Sequence, residues 1–454
     1  MRAVPLRGKS MKVNEEIELR IDSFGSNAEG VGKKDETVCF VPYALPGETV
    51  RVKIRHVKGT VAYADLQKVL IPSKHRVTPV CPKFGKCGGC VLQHADRTLQ
   101  AEFKRALVEK NFAKIAGLNV DVPPVITGEK DYGYRNKLQM PFGKVGKRTV
   151  CGFYRTDSHE LVSLKDCPLQ EGWAKDLIEC VTTWANRYQV PVYSEKTQSG
   201  ILRHLVVRAA AGQIVVTLVI NASAVPYEDE LWAALRSRFD RIGLYLNENR
   251  RRDNVILGEK SVWRKGIAAI EREEFGIRYE MHPDGFYQVN DEIKNKIYQK
   301  AKDLLRLQEA DFVVDAFSGG GVLSALMYGD YDLYGIEIVP EAVKDAEILK
   351  RKNGLTRWTN LCGDVKTELP RLLKEKAGNG VLIVDPPRKG LHPETAQFLC
   401  QSQIGQIVYI SCDSATLARD VKILSDAYEI TYLQPYDMFP QTKHVETLVC
   451  LSKK

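Results

Sequence analysis

No stretch of the sequence approaches the unbroken apolar run that a membrane-spanning helix needs. The amino terminus, MRAVPLRGKSMKVNEE, is basic but has no apolar core, so it does not read as a secretory signal. Both absences point to a cytoplasmic protein with no membrane partner. No internal repeat or low-complexity tract is visible. The excess of one charge sign is modest: a net charge of +9 fits a polyanionic partner, yet fits a solvated surface as well unless the cations gather in one place. Cysteine is not scarce. Eleven of them, an odd count in a long chain without a signal, argue for free thiols, metal ligation or catalysis rather than disulfides.

What is there suits a globular protein of about two or three domains, with 44% hydrophobic and 27% charged residues in 454. Residues 11–70 read as a compact all-β unit. Alternating strands such as Ile17-Glu18-Leu19-Arg20-Ile21 and Val50-Arg51-Val52-Lys53-Ile54 are broken by Gly30, Gly32 and the Leu45-Pro46-Gly47 turn, and a small five-stranded barrel fits the length. In its Glu29-Gly30-Val31-Gly32 and Phe40-Val41-Pro42…Pro46-Gly47-Glu48 features the segment resembles the TRAM domain, an oligonucleotide-binding-type RNA module. Arg51, Lys53, Arg55, His56 and Lys58 follow the turn as an RNA-contact face or as a charge-protected edge strand.

Residues 72–275 form a mixed α/β region with a cysteine-rich entry. From 276 to 454 strands and helices alternate: a strand at Phe312–Ala316, a helix near 320–328, a strand at Leu333–Ile338, a helix near 340–352, then strands at Val381–Val384, Ile407–Ile410 and Thr447–Leu451. Apolar runs of this length between amphipathic helices predict a parallel sheet covered on both faces.

Asp315-Ala316-Phe317-Ser318-Gly319-Gly320-Gly321 closes one predicted strand and opens a helix, and Glu337 ends the next, where a carboxylate can accept from ribose hydroxyls. The glycines do not form GxGxxG, which weakens a dinucleotide reading. Asp364 follows the third predicted strand. Three further motifs lie near strand ends: Asp385-Pro386-Pro387-Arg388-Lys389-Gly390, Ser411-Cys412-Asp413 and His444-Val445-Glu446-Thr447. Singly each has a bland explanation, as an amine-holding turn, a buried small hydrophobe or a surface charge. Together they match one chemistry. Carbon 5 of uracil is a poor nucleophile until a thiolate adds to carbon 6, and a base must afterwards remove the carbon-5 proton. That reaction needs a thiol, a carboxylate base and a polar group on the uracil edge, which Cys412, Glu446 and Asp385 can supply.

Along nearly its whole length the sequence resembles the uracil-5-methyltransferases of tRNA and ribosomal RNA. The motifs are Phe286-Tyr287-Gln288-Val289-Asn290, the Asp315–Gly321 turn, Asp385–Gly390, Ser411-Cys412 and Met438-Phe439-Pro440…His444-Val445-Glu446. The resemblance implies S-adenosyl-L-methionine as methyl donor, contacted by Gln288, Phe317, Glu337 and Asp364. It implies Asp385 on the target base, Cys412 as nucleophile and Glu446 as proton acceptor. The family's usual Ser-Cys-Asn-Pro is Ser411-Cys412-Asp413-Ser414 here, which loses a proline after the nucleophile and adds a negative charge that raises a thiol pKa.

Five residues separate Cys81 from Cys87 and two separate Cys87 from Cys90, with Cys167-Pro168 a possible fourth ligand. Four thiolates suit zinc or a 4Fe–4S cluster, and spacing does not separate them; the resemblance to the ribosomal-RNA members implies iron. Cys39, Cys151, Cys180, Cys362, Cys400 and Cys450 have no partner motif and read as buried thiols. Tyr132-Gly133-Tyr134-Arg135-Asn136-Lys137 interleaves aromatics and cations as RNA stacking and phosphate contact require, and Arg203 and Arg250–Arg252 are further basic candidates.

The expected architecture is α/β: a Rossmann-like methyltransferase domain at 276–454, an oligonucleotide-binding-type TRAM barrel at 11–70 and a central α/β domain at 72–275. The expected function is methylation of a uridine in 23S ribosomal RNA by a monomer, since the barrel and cysteine set resemble the ribosomal-RNA enzymes more than the tRNA enzyme. A tRNA substrate and a non-catalytic iron–sulfur RNA-binding protein are the alternatives. A radical methylthiolating enzyme would need three cysteines spaced three and two, which Cys81, Cys87 and Cys90 do not provide.

Overall fold

Alternating apolar and charged residues build the first sheet of the chain, whose computed structural model describes residues 11–156 and 158–454. The strands are β1 (Glu16–Arg20), β2 (Ser23–Phe24), β3 (Gly30–Lys34), β4 (Thr37–Val41), β5 (Thr49–Lys58) and β6 (Val61–Ile71), in the order β1-β5-β6-β4-β3-β2. Ile17, Leu19, Val50, Val52 and Ile54 point inward and their charged neighbours outward. The sheet has six strands where the sequence predicts five, because β2 is too short to show an alternation. Ile21 N–H donates to Glu48 O and Asp22 N–H to Val31 O. The run from β1 to β2 therefore bends from β5 across to β3 and draws the two ends of the sheet together as a barrel.

After helix α1 (Arg97–Asn111) comes a second sheet, β7 (Lys137–Val145), β8 (Arg148–Tyr154), β9 (Leu161–Ser163), β10 (Leu202–Ala210), β11 (Gln213–Ile220), β12 (Ile242–Glu248) and β13 (Ser261–Gly266). Its order is β13-β12-β11-β10-β7-β8-β9. Helices α2 (Trp173–Arg187) and α3 (Glu228–Arg236) cover one face, where Leu177, Val181, Trp184 and Leu231 pack on Leu205, Val207 and Val216. A hairpin, β14 (Ile270–Glu274) and β15 (Ile277–Met281), leads into α4 (Asp291–Leu304).

The third sheet has the order β18-β17-β16-β19-β20-β22-β21. Its strands are β16 (Phe312–Ala316), β17 (Asp332–Glu337), β18 (Trp358–Cys362), β19 (Gly380–Val384), β20 (Ile404–Ser411), β21 (Tyr428–Tyr436) and β22 (Glu446–Lys453). Helices α5 (Val322–Leu326), α6 (Pro340–Lys352), α7 (Val365–Glu375), α8 (Pro393–Cys400) and α9 (Ser414–Leu424) alternate with the strands. Successive strand residues enter opposite cores. Val314 and Leu382 pack with leucines of α7, α8 and α9, and Val313 and Ile383 pack with Ile293 and Ile297 of α4. Both faces are covered, as the apolar runs predict. α1 adds Val108 and Phe112 to the first of these cores. The sheet departs from the all-parallel expectation at one place, β22, which runs antiparallel to both β20 and β21. Among the described residues no helix is long and apolar enough to cross a membrane.

Candidate active site

The carboxyl ends of β16 to β20 border a cavity of about 710 Å³. Gln288, Phe317, Glu337, Asp364, Asp385, Cys412 and Glu446 all line it. The turn after β16 puts Phe317, Gly319 and Gly321 at positive φ. A Cβ on Gly321 would lie 2.4 Å from the Trp358 ring, so only glycine lets α5 start this close to β18. Glu337 is held by two backbone amides, Gly319 N–H at 3.0 Å and Val339 N–H at 2.8 Å. Asp364 caps α7 by accepting from Lys366 N–H at 2.9 Å. It lines the cavity wall from that position.

Asp385 follows β19 and accepts from Gln288 Nε2 at 3.4 Å. Gln288 is steadied in turn by Asn136, whose Nδ2 donates to Gln288 O (2.9 Å) and whose N–H donates to Val289 O (3.0 Å). Burial pushes the Asp385 carboxyl up to about 7, against the pull of the Gln288 hydrogen bond. Asp315, one strand away, is likewise pushed up to about 7 by burial. Glu446 opens β22 with both carboxyl oxygens buried and without hydrogen-bond partners. Burial first, then the neighbouring Asp385, holds it well above the usual carboxylate range, with Arg388 opposing.

Cys412 follows β20 and is half-buried. Burial, then the charges of Glu446 and Asp385, pushes its thiol up to about 12; Arg388 opposes, and Asp413 adds the smallest upward push. The residue replacing the usual asparagine has a structural task of its own. Asp413 caps α9, accepting from Ala415 N–H at 2.9 Å and Thr416 N–H at 3.0 Å. Ser414, where the family has proline, accepts from Asn111 Nδ2 of α1 at 2.9 Å. The turn after the thiol is thus fixed by hydrogen bonds rather than by a proline ring.

The segment from Asp437 to Val445, which delivers Glu446, is tied down from outside. Lys104 of α1, fully buried, donates to Asp437 Oδ1 at 2.5 Å and to Phe439 O at 3.0 Å. Tyr134 OH donates to Pro440 O at 3.1 Å. Sequence reading named the motif of His444, which lines the cavity, but missed Asn136 and Lys104 as positioning residues and Tyr298 of α4 as a further wall. Each acts across a long stretch of chain that no local pattern marks. Burial and the nearby Arg388 and Lys443 push His444 down to about 4.

Cys81, Cys87, Cys90 and Cys167 line a second cavity, of about 360 Å³, together with Arg135, Lys137 and Arg208. It shares Phe286 and Tyr287 with the larger one. All four thiols are free. Burial chiefly, and then the other three thiols, pushes Cys90 up to about 12, while Gln93 opposes. Among the described residues no three His, Cys, Asp or Glu side chains close on a single ion.

Several surface expectations change. Tyr134 and Asn136 are buried, so this part of the aromatic–cation segment is a seam and not a stacking face. Arg203 is buried and donates to Asn249 O and Arg251 O, each at 2.7 Å. Cys362 is exposed because β18 is the edge strand, and Cys400 is only partly buried. On the barrel, Arg51, Lys53, Arg55, His56 and Lys58 do face outward, beside a stacked Phe40–Tyr63 pair, although Arg51 is paired with Glu18 at 2.9 Å.

Residues 372–454 match the family model described as tRNA (Uracil-5-)-methyltransferase, and residues 11–66 match the TRAM domain. An uncharacterised RNA methyltransferase of Clostridium acetobutylicum is 36% identical over 451 residues, 98% of each chain. One of Listeria innocua is 35% identical over 448 residues, 98% of this chain and 99% of its own. The solved structure of Pyrococcus abyssi tRNA (uracil-54, C5)-methyltransferase in complex with S-adenosyl-L-homocysteine matches with a TM-score of 0.77 at 26% identity. That match covers 96% of this chain and 99% of the other.

Proposed function

The chain belongs to the S-adenosylmethionine-dependent RNA uracil-5-methyltransferases, and from that membership we propose that it methylates carbon 5 of a uridine in 23S ribosomal RNA through a covalent adduct on Cys412. The observation that supports this reading is the meeting of Cys412, Glu446 and Asp385 around one cavity.

The target uridine leaves its stack and enters the cavity. Asp385 hydrogen-bonds the uracil edge. Cys412 gives up its thiol proton to solvent, the thiolate adds to carbon 6, and the electron pair of the 5,6 double bond moves into an enolate that makes carbon 5 nucleophilic. After carbon 5 has taken the methyl group, Glu446 removes its proton, the double bond re-forms and the carbon–sulfur bond breaks. Arg388 offsets negative charge beside the thiolate. His444, pushed down by burial and its cationic neighbours, is neutral and adds no charge of its own.

The residues fit the donor. The glycine turn allows close backbone approach, Glu337 has lone pairs left for ribose hydroxyls, and the buried Glu446 and Asp315 oxygens without partners call for an electropositive neighbour. Gln288, Phe317, Glu337 and Asp364 would hold S-adenosylmethionine, which supplies an electrophilic methyl group on sulfur.

For Cys81, Cys87, Cys90 and Cys167 the reading is a 4Fe–4S cluster. Cys81, Cys87, Cys90 and Cys167, which line one cavity, would supply its thiolate ligands. The same four thiols could instead hold a single zinc, which is the alternative. The reaction moves electron pairs and no single electrons, so the cluster's part is to staple Cys81–Cys90 to Cys167.

One observation favours a second substrate. The Pyrococcus abyssi tRNA enzyme matches 96% of this chain, so the barrel and central region do not by themselves set ribosomal-RNA enzymes apart, and tRNA is the competing reading. Mapping 5-methyluridine in RNA from cells with and without the gene decides between them. Loss of a 23S site supports the proposal, and loss of a tRNA site replaces it.

A further inference from the structure

Three carboxyl groups, Asp315, Asp385 and Glu446, line the same cavity. Asp315 and Glu446 are buried, and three of their four carboxyl oxygens have no hydrogen-bond partner. Among the described residues Asp385 receives only the long bond from Gln288. Two cations stand near. Lys294 is already engaged with Glu274 and Asp291, and Arg388 is exposed at the rim. The other groups facing the Asp385–Glu446 pair are Cys412 after β20, His444 ahead of β22 and Tyr298 on α4. None of these supplies a buried positive charge. Crowded, buried carboxyls do not all ionise, so without its donor the site keeps protons that a base would have to be without.

The donor brings what the cavity lacks. S-adenosylmethionine carries a fixed positive charge on sulfur beside the reacting carbon, and its product, S-adenosylhomocysteine, is a neutral thioether there. We propose that the sulfonium charge drives about one proton from the Asp385–Glu446 pair into solvent, so that binding of the donor creates the carboxylate base and methyl transfer removes the need for it. The balance closes at each stage. On binding, a carboxyl O–H bond breaks, the proton goes to water and the carboxylate faces the sulfonium. When the methyl group leaves, the sulfonium becomes neutral, and Glu446 takes the carbon-5 proton and becomes neutral with it. The site then discriminates donor from product by charge, and it is ready to finish the reaction only when a transferable methyl group is present.

This inference rests on the reading that the donor occupies the cavity of Asp385, Cys412 and Glu446. Calorimetric titration of the full chain with S-adenosylmethionine and with S-adenosylhomocysteine, near neutral pH in buffers of different ionisation enthalpy, counts the protons released by each. The donor should release about one more proton than the product, and Glu446→Gln and Asp385→Asn should each shrink that difference. Equal proton counts, with both ligands bound to the natural chain, overturn the inference and leave the functional reading intact. Failure of the natural chain to bind either ligand overturns both. Because the decisive comparison uses the natural chain, a misfolded variant does not blur it.

Discussion

Glu446 stands across from Cys412 because the last strand is reversed. Ser411 of β20 pairs with Thr447 of β22 in an antiparallel register, so the next residue outward on each strand is the thiol on one and the carboxylate on the other. A parallel last strand would have sent the residue at its start to the opposite edge of the sheet. The reversal follows from a short connection: β21 and β22 are neighbours joined through residues 437–445, and adjacent strands joined that way run antiparallel.

That pairing leads to a test of the base. Glu446→Gln should allow thiol addition and methyl transfer but stall release, since the carbon-5 proton has no acceptor. A protein–RNA adduct that survives denaturation should accumulate on gels. Normal turnover without an adduct would assign the proton to another group.

The raised carboxyls predict how stability depends on pH. Asp315 and Asp385 are both pushed up to about 7 by burial. A carboxyl whose folded-state value lies above its unfolded value favours the fold fully below the unfolded value, and loses that contribution as pH rises through the folded one. The ligand-free chain should therefore resist urea less as pH climbs from about 4 through about 7. Asp385→Asn, which cannot ionise, should flatten part of that slope. Superimposable slopes for the two chains would show that Asp385 is not strained by its burial.

The Lys104–Asp437 pair is the clearest stability element near the site. Lys104 is fully buried, and its removal strands a buried carboxylate next to the segment that delivers Glu446. Lys104→Ala should cost about 3–5 kcal/mol in urea unfolding. The double variant Lys104→Ala with Asp437→Asn should recover part of that loss. A cost below about 1 kcal/mol, the level of an exposed pair, would contradict the role given to it.

Metal content tests the second cavity. Purified without air, the protein should be brown, with iron and sulfide each at about four per chain. Cys87→Ser should lower stability and RNA affinity while RNA that still binds is methylated without reductant. One zinc per chain and no sulfide would replace the cluster by a zinc site.

The parallel half of the last domain was legible because each strand is a short apolar run ended by a turn: Phe312–Ala316 before the glycines, Gly380–Val384 before Asp385. The direction of β22 was not, since a strand buried on both faces reads the same either way. The two-residue β2 was too short to carry a period. The motifs announced the cavity residues, as seven named positions from Gln288 to Glu446 line one space. The residues that hold them were silent. Asn136 reaches Gln288 and Lys104 reaches Asp437 across 152 and 333 positions, and such pairs leave no local signal. Tyr134 misled for the same reason: beside Arg135 and Lys137 it reads as a stacking residue, but its ring is buried and its hydroxyl is spent on Pro440.

The most direct test of the central claim follows a labelled methyl group. The purified natural chain, given RNA made without modifications and S-adenosylmethionine labelled in its methyl group, should place the label on 5-methyluridine alone when the RNA is digested to nucleosides. The Cys412→Ala chain, confirmed as folded and able to bind donor, should place none, because without the thiolate carbon 5 never becomes a nucleophile. Label on another nucleoside, or 5-methyluridine formed at the natural rate by Cys412→Ala, would contradict the account.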